Sequence, residues 1–257
     1  MRRRTRKEIQ IRDSWRVLQT LLLDMSGGDE SAAGAVLDVL FDFDAFLQSE
    51  NRKFNLTSIR DARTAVIKHF VDSLLPLQLF DIIPNEKSSV ADVGSGAGFP
   101  GLPLAAVRPA VYWTLVDATK KRCNFLTKAV EQLGLRNTVV LWTRSEDLGR
   151  HPQHRERYDA AVARAVAPLP VLLELATPLL RVGGRLFAWK GPGIETEIET
   201  SAPALQALGC GIETVHRYTL PELQEPRTLA VIVKTAPTPD KYPRPAGAPS
   251  RRPLSRL

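Results

Sequence analysis

A glycine-rich stretch near the middle of the chain has the composition of a turn that binds a nucleotide-like ligand. Residues 91–101 have the sequence ADVGSGAGFPG, between two apolar runs. Gly94, Gly96 and Gly98 would let the backbone turn tightly and let a ligand approach the main chain. Pro100 is compatible with the first turn of a helix that follows. A glycine turn that only connects a strand to a helix is the simpler interpretation, and the pattern around it argues against that.

The spacing of the glycines distinguishes two cofactor classes. A dinucleotide fingerprint is G-x-G-x-x-G, but the sixth place counted from Gly94 is Phe99. Asp92, just before the turn, would suit the positively charged methionine part of S-adenosylmethionine and would repel a pyrophosphate. Asp117 ends the next predicted strand and could accept hydrogen bonds from ribose hydroxyls. The pattern favours S-adenosylmethionine, with an NAD-dependent oxidoreductase as the alternative.

Other candidate residues follow the later predicted strands. Ser145 and Glu146 come after the third strand and could flank an adenine, or could simply cap a loop. Arg164 follows the fourth strand and Lys190 ends the fifth. In open parallel sheets ligands bind at the carboxyl ends of the strands, so both cations could face a methyl acceptor. An ordinary ion pair is the alternative for each.

The elements that would position these residues alternate between strand and helix. Helices are predicted over 8–24, 32–50, 61–80, 120–135 and 168–180, and strands over 88–93, 111–117, 138–142, 158–163, 184–190, 210–218 and 227–234. This order predicts an α/β fold with a mostly parallel, seven-stranded, Rossmann-like sheet and an antiparallel hairpin at one edge. We divide the chain into a basic arm (1–7), a helical segment (8–85), the Rossmann-like domain (86–235) and an extended, proline-rich tail (236–257).

Composition and charge narrow the function classes. Hydrophobic residues make up 44% and charged residues 25% of the chain, which is ordinary for a globular protein. No apolar run approaches the ~20 residues that span a bilayer, and no secretory signal is evident, so a cytoplasmic protein is expected. The two cysteines and four histidines are too scattered for a metal site. The net charge of +7 resides in the two ends, which suits a polyanion or merely aids solubility.

Several motifs occur together in the order of a known family. They are FNLTSIRD, HFVDSLLPL, ADVGSGAGFPGLPLA, LVDATKKRCNFL, ARAVAPL, WKG and KYPRPAGAPSRRPL, and they span about residues 35–255. The chain resembles the bacterial small-subunit ribosomal RNA guanine-N7 methyltransferases, formerly called glucose-inhibited division protein B. The glycine turn is common to many methyltransferases, whereas the flanking motifs are more particular. The family often has proline at position 97 and leucine at 99, where this chain has Ala97 and Phe99.

The resemblance implies a class I S-adenosylmethionine-dependent enzyme that acts on 16S ribosomal RNA or the small ribosomal subunit, and we expect a monomer without a metal. It also implies roles for particular residues. The cofactor would contact Gly94, Ser95, Gly96, Gly98 and Phe99 in the turn, Asp117, Ala118 and Thr119 at the ribose, Ser145 and Glu146 at the adenine, and Arg164 at the reacting end. A small-molecule methyltransferase remains the alternative function.

The residues at hand are compatible with N7 chemistry. Guanine N7 carries a lone pair and no proton, so the reaction needs alignment rather than a general base. Neither Cys123 nor Cys210 lies in a Pro-Cys motif of the cytosine-C5 enzymes, and ARAVAP stands where exocyclic-amine enzymes have Asn/Asp-Pro-Pro-aromatic. We hypothesise that Arg164 or Lys190 binds guanine O6 or a phosphate. The segments NRKFNLTSIRD and KHF could dock RNA, although His69 is expected to be a packing residue.

Overall fold

The computed structural model describes residues 6–83 and 87–255 of the 257-residue chain. The predicted basic arm therefore lies outside the described residues except for Arg6 and Lys7, which begin the first helix.

A seven-stranded sheet forms the centre of the fold, as predicted. Its strands are β1 (Ser89–Val93), β2 (Tyr112–Asp117), β3 (Thr138–Trp142), β4 (Tyr158–Arg164), β5 (Leu180–Lys190), β6 (Cys210–Leu220) and β7 (Glu225–Lys234). They lie in the order β3-β2-β1-β4-β5-β7-β6. Strands β1 to β5 pair in parallel, and β7 pairs antiparallel with both β5 and β6. The predicted antiparallel hairpin at one edge is therefore confirmed: β6 is the edge strand, and β7 lies between β6 and β5 and runs antiparallel to both.

The direction of the strand order reverses between β1 and β4, and this reversal determines where a ligand can enter. Connections from β1 pass to β2 on one side, whereas β4 lies on the other side. A crevice opens at such a switch point, at the carboxyl ends of the strands. Asp92 of β1 is level with Leu115 of β2 and with Val162 of β4, so these strands end close to the same height.

Helices cover both faces of the sheet. They are α1 (Arg6–Met25), α2 (Glu30–Phe54), α3 (Ala62–Ala65), α4 (Asp72–Phe80), α5 (Gly101–Val107), α6 (Lys120–Gln132), α7 (Ser145–Leu148), α8 (Leu169–Ala176), α9 (Ile194–Thr200), α10 (Ala202–Leu208) and α11 (Ala248–Arg251). A π-helical turn (Val66–Val71) joins α3 to α4, and a 3₁₀ turn (Thr177–Leu179) follows α8.

The N-terminal helices share their hydrophobic core with the sheet. Phe43 and Phe70 are fully buried and belong to the same cluster as Val90 and Trp113 of the sheet. Helix α2 begins after Asp29, whose carboxylate accepts from two backbone N–H groups at 3.0 Å, and it extends to Phe54, beyond its predicted end. The first four residues of the motif NRKFNLTSIRD are thus helical, and the other seven form a loop. The proposed boundary at residue 85 between helical segment and domain remains a prediction.

The C-terminal segment packs against the domain, so the prediction of an extended tail is wrong. Tyr242 and Ala248 are buried. The guanidinium of Arg155 donates to the carbonyl oxygens of Thr238 (2.6 Å) and Tyr242 (2.8 Å). Arg244 donates to both carboxylate oxygens of Glu174, which is itself fully buried. These polar contacts bind a chain that its prolines and charges alone would leave in solvent, and they withdraw Arg244 from any role in a free basic arm.

Candidate active site

A cavity of about 590 Å³ opens at the carboxyl ends of β1, β4 and β5. The glycine turn after β1 forms one wall, the residues after β4 and β5 form another, and the N-terminal helical segment closes the third. Its lining includes Leu56, Thr57, Ser58, Ile59, Lys68, His69, Asp72, Gly94, Ser95, Gly96, Ala97, Phe99, Arg122, Arg164, Val166, Trp189, Lys190 and Arg227.

The glycine turn adopts a conformation that requires glycine at two positions. The N–H groups of Gly94 and Ser95 both donate to the carbonyl oxygen of Val116, at 2.8 and 3.0 Å, and hold the turn against β2. Gly94 has φ +72° and Gly98 has φ +94°. A Cβ on Gly94 would lie 2.8 Å from Val166 Cγ2, and one on Gly98 would lie 2.4 Å from a methyl carbon of the Leu102 side chain. Bare backbone thus faces the cavity.

Asp117 connects the turn to the end of β2. One carboxylate oxygen accepts from the N–H of Gly96 at 3.0 Å and the other accepts from the N–H of Thr119 at 2.7 Å. Arg122, whose side chain is half exposed, lies 3.5 Å from the first of these oxygens. The structure therefore brings Asp117, Ala118 and Thr119 beside the turn, although these three do not line the cavity itself.

Asp92 lies beneath the turn rather than in the cavity. It is fully buried, and its Oδ2 accepts from the N–H of Gly101 at 3.1 Å. Its Oδ1 has no hydrogen-bond partner within the part of the chain that is described. Burial is the main cause that raises the pKa of Asp92 to about 7, opposed by hydrogen bonds from Ser95 and Gly101 and by the positive charge of Arg164. Asp92 does not line the cavity, and contact of its carboxylate with the cofactor stays a prediction.

Ser145 and Glu146 begin α7, after β3, and they also lie outside the cavity lining. Glu146 is buried, and its Oε1 accepts from the N–H of Gly247 at 2.7 Å. The C-terminal segment thus holds the residue that the sequence places beside an adenine. No pattern in the sequence indicates this contact, which joins positions 101 residues apart.

Arg164 extends from the end of β4 to the π-helical turn. Its Nη1 donates to the carbonyl oxygen of Lys68 and to Oδ2 of Asp72, at 3.1 Å each. Its guanidinium carbon lies 5.4 Å from the centre of the Phe99 ring. Within the described residues, Arg164 makes its hydrogen bonds through Nη1. Nε and Nη2 make none there, and neither is a fully buried atom without a partner. They therefore reach solvent and are free to bind a ligand in the cavity.

Asp72 is the centre of a buried polar cluster below Arg164. Its Oδ1 accepts from the hydroxyl of Tyr218 at 2.8 Å, and its carbonyl oxygen accepts from the indole of Trp189 at 2.8 Å. Nε of Arg227 lies 3.9 Å from the same Oδ1. Burial and the negative charge of Asp72 raise the pKa of Tyr218 far above its usual range. The cluster ties α4 to β4, β5, β6 and β7 and thereby fixes the position of Arg164.

Lys190 has its charge satisfied on the opposite side of the cavity. Its Nζ donates to Oε2 of Glu197 at 2.7 Å and to the carbonyl oxygen of Ala167 at 2.8 Å. The same Oε2 accepts from the N–H of Leu169 at 2.6 Å, at the start of α8. Lys190 lines the cavity. Its ion pair with Glu197 also agrees with the alternative interpretation from the sequence, in which Lys190 has only a structural role.

His69 packs against the cavity wall, as expected. Its ring is stacked on Phe99 at 4.5 Å, and Nε2 is 3.0 Å from the hydroxyl of Thr57. Burial and, second, the charge of Arg164 lower the pKa of His69 to about 3, so the ring is neutral. Asn51 holds the loop on the other side, since its amide exchanges two hydrogen bonds with the backbone of Thr57.

Comparison with known proteins identifies the family. The family model described as GidB: rRNA small subunit methyltransferase G matches residues 37–225. The chain belongs to this family. A protein of Deinococcus deserti named ribosomal RNA small subunit methyltransferase G is 46% identical over 219 residues, which cover 85% of this chain and 89% of that protein. A protein of the same name from Acetivibrio thermocellus is 41% identical over 239 residues, 93% of this chain and 97% of that one.

Solved structures agree with the fold of this GidB family member. A predicted O-methyltransferase from Agrobacterium tumefaciens has a TM-score of 0.51 at 17% identity and covers 65% of this chain and 80% of its own. At that identity the likeness concerns the fold alone. None of the described helices is long and apolar enough to cross a membrane. Across residues 6–83 and 87–255 there is no group of three His, Cys, Asp or Glu side chains that could hold a metal.

Sequence reasoning missed most of the polar cluster under Arg164. Asp72 lies in the motif HFVDSLLPL and Trp189 lies in the motif WKG. Neither motif indicates a hydrogen-bond partner for these residues. Nothing in the sequence indicated that Tyr218 and Arg227, an aromatic residue and a cation in the predicted edge hairpin, contact Asp72. The one indication in the sequence was the position of Asp72, a carboxylate within the otherwise apolar stretch FVDSLLPL, which is typical of a buried residue with a polar partner.

Proposed function

We propose that this GidB family member transfers a methyl group from S-adenosylmethionine to N7 of a guanine in 16S ribosomal RNA. The observation that carries the proposal is the cavity at the switch point, which the glycine turn and Arg164 both line. Membership of a family described as small-subunit rRNA methyltransferases supports the substrate class. A cytoplasmic location and a monomeric state belong to the same proposal.

The residues present fit S-adenosylmethionine. The turn between Gly94 and Phe99 lines the cavity, and a Cβ on Gly94 would displace Val166, which lines the same cavity. Asp117 has both oxygens at the end of β2, each with a second lone pair for a ribose hydroxyl. Ser145 and Glu146 follow the next strand and would lie by the adenine. When bound, the cofactor supplies a methyl group on a positively charged sulfur, which is already an activated electrophile.

The chain's own residues then need to hold and align the acceptor. Guanine N7 has a free lone pair, so no side chain has to remove a proton, and the neutral His69 and the paired Lys190 agree with this. Alignment of two reactants can supply up to ~7–11 kcal/mol of the barrier reduction. Arg164 would bind guanine O6 or an adjacent phosphate through the nitrogens that Asp72 does not use.

The experiment that tests the proposal uses methyl-labelled S-adenosylmethionine and unmodified 16S ribosomal RNA, both naked and assembled into small subunits. We expect label in 7-methylguanosine after digestion to nucleosides. Labelling of no RNA form, while S-adenosylmethionine still binds, would favour a small-molecule acceptor instead. Binding of NADH in place of S-adenosylhomocysteine would support the oxidoreductase alternative.

Arg164→Ala tests the role of the guanidinium. We expect methyl transfer to fall much more than cofactor affinity, because the proposed ligand of Arg164 is the acceptor. Equal loss of both would make Arg164 a cofactor-binding residue. Binding of S-adenosylhomocysteine, measured by calorimetry, separates the two results.

A further inference from the structure

Two exposed aromatic rings lie at the ends of β3 and α2, each beside a lysine. Trp142 at the end of β3 is 57% exposed and Phe54 at the end of α2 is 39% exposed. Nζ of Lys120 lies 4.8 Å from the centre of the Trp142 ring, and Nζ of Lys121 lies 4.4 Å from that of Phe54. We call these four residues the basic aromatic surface.

The residues of this surface adjoin, along the chain, residues that line the candidate active site. The indole N–H of Trp142 donates to the carbonyl oxygen of Ala118 at 3.1 Å, beside the end of β2. Lys120 and Lys121 precede Arg122, which lines the cavity. Phe54 directly precedes the loop whose residues 56–59 line the cavity on the other side. Arg122 and the loop 56–59 therefore connect the basic aromatic surface, along the chain, to the cavity lining.

The surrounding segments have an excess of positive charge. Residues 50–61, 117–124 and 142–146 contain seven lysines and arginines and four aspartates and glutamates, two of which pair with Lys53 and Arg122. The middle of the chain is net negative once its basic ends are set aside, so this concentration is local. Clustered cations attract phosphates, and release of counterions makes such binding sensitive to salt.

From these observations we infer that the basic aromatic surface binds unpaired nucleotides of the ribosomal RNA that flank the target guanine. Unpaired bases stack on aromatic side chains, while lysines contact the phosphates between them. An exposed cation–π contact is weaker than base stacking, so an arriving base can displace each lysine from its ring and leave it to a phosphate. This inference rests on the proposed function, because it takes the RNA as the acceptor.

The chain offers matched controls for this inference. Tyr112 is 62% exposed and lies at the opposite end of β2, about 17 Å from Asp117 at ~3.3 Å per residue. Lys128 is an exposed lysine on α6, about 11 Å along the helix from Lys120 and Lys121 at 1.5 Å per residue. Both resemble the surface residues in type and exposure, and neither adjoins the cavity lining along the chain.

The test measures the dissociation constant for the 16S RNA form that the wild type methylates, at several salt concentrations. We expect Trp142→Ala and Phe54→Ala each to weaken RNA binding by about fivefold or more, and Trp142→Phe to restore most of it. The double variant Lys120→Ala/Lys121→Ala should lower the slope of log K against log salt by about 1.4. Tyr112→Ala and Lys128→Ala should bind RNA like the wild type, and all variants should bind S-adenosylhomocysteine equally.

Each other outcome overturns a particular statement. If Trp142→Ala and Phe54→Ala bind and methylate the RNA like the wild type, the surface is not the RNA-binding site. If Trp142→Ala loses cofactor affinity as much as RNA affinity, the ring serves the cofactor site through Ala118. If the wild type itself neither binds nor methylates any form of the RNA, the proposed function fails, and that result is distinct from the first two. Thermal unfolding of each variant verifies that it is folded.

Discussion

Asp72 joins the N-terminal helices to the sheet, and its replacement tests how the candidate site is held together. Asp72→Ala removes the carboxylate from Arg164, whose side chain is only 12% exposed, and the acceptor from the hydroxyl of Tyr218. Loss of one partner from a buried ion pair costs about 3–5 kcal/mol, because a charge stays buried without compensation. At roughly 2–4 °C per kcal/mol for a chain of this size, Tm should fall by about 6–20 °C.

Asp72→Asn is the matched variant. Its amide oxygen can still accept from Arg164, whereas its amide nitrogen can only donate to the hydroxyl oxygen of Tyr218, so the charge and the acceptor for the Tyr218 O–H are lost while the side-chain volume is kept. We expect this change to cost about 1–2 kcal/mol, and Tyr218→Phe about 1 kcal/mol. Denaturant unfolding of the three variants gives these free energies. An Asp72→Ala protein within about 1 kcal/mol of the wild type would refute the idea that the cluster anchors the helices and positions Arg164.

Three further predictions concern the C-terminal segment, the buried histidine and the glycine turn. Arg244→Met should lower the free energy of unfolding by about 3–5 kcal/mol, and a second change, Glu174→Met, should restore much of it; denaturant unfolding that shows no restoration would contradict the ion-pair account. The folded pKa of His69 is about 3, below its unfolded value near 6.5, so its contribution to stability is complete above pH 6.5 and is lost as pH falls towards 3. Between pH 7 and 4, His69→Phe should therefore lose less stability than the wild type does, and equal losses would contradict the assignment. Gly94→Ala should weaken binding of S-adenosylhomocysteine in calorimetry, whereas Gly134→Ala, with a similar φ of +64° and open space around it, should leave that binding unchanged.

The sequence predicted the fold well because local patterns carried it. Short apolar runs such as TVVLW and YWTLVD, which alternate with stretches of helical periodicity, are typical of a parallel sheet covered by helices. The observed strand ends differ from the predicted ones by four residues or fewer. The glycine turn was also recognisable locally, since its glycines permit the positive φ angles of Gly94 and Gly98. Its hydrogen bonds to Val116 and Asp117 were not predicted.

Contacts between distant positions were beyond a pattern-based prediction. Arg164 and Asp72 lie 92 positions apart, and Arg244 and Glu174 lie 70 apart. Asp72, Arg164 and Glu174 each stand in an apolar stretch, but no local pattern names the residue that pairs with them, and only the packed chain brings the partners together. The same reason explains why the tail was expected to extend rather than to pack against the domain.

The central claim is that the methyl group goes to N7 of guanine. It is tested most directly by a comparison of two 16S ribosomal RNA transcripts, one with guanine and one with 7-deazaguanine, in which a C–H group replaces N7. The two bases have the same O6 and N2 groups and the same pairing edge, so only the nucleophile differs. We expect labelled methyl transfer to the guanine transcript, or to small subunits assembled from it, and none to the 7-deaza counterpart. Equal labelling of both would contradict the claim, since the acceptor atom would then lie elsewhere on the RNA.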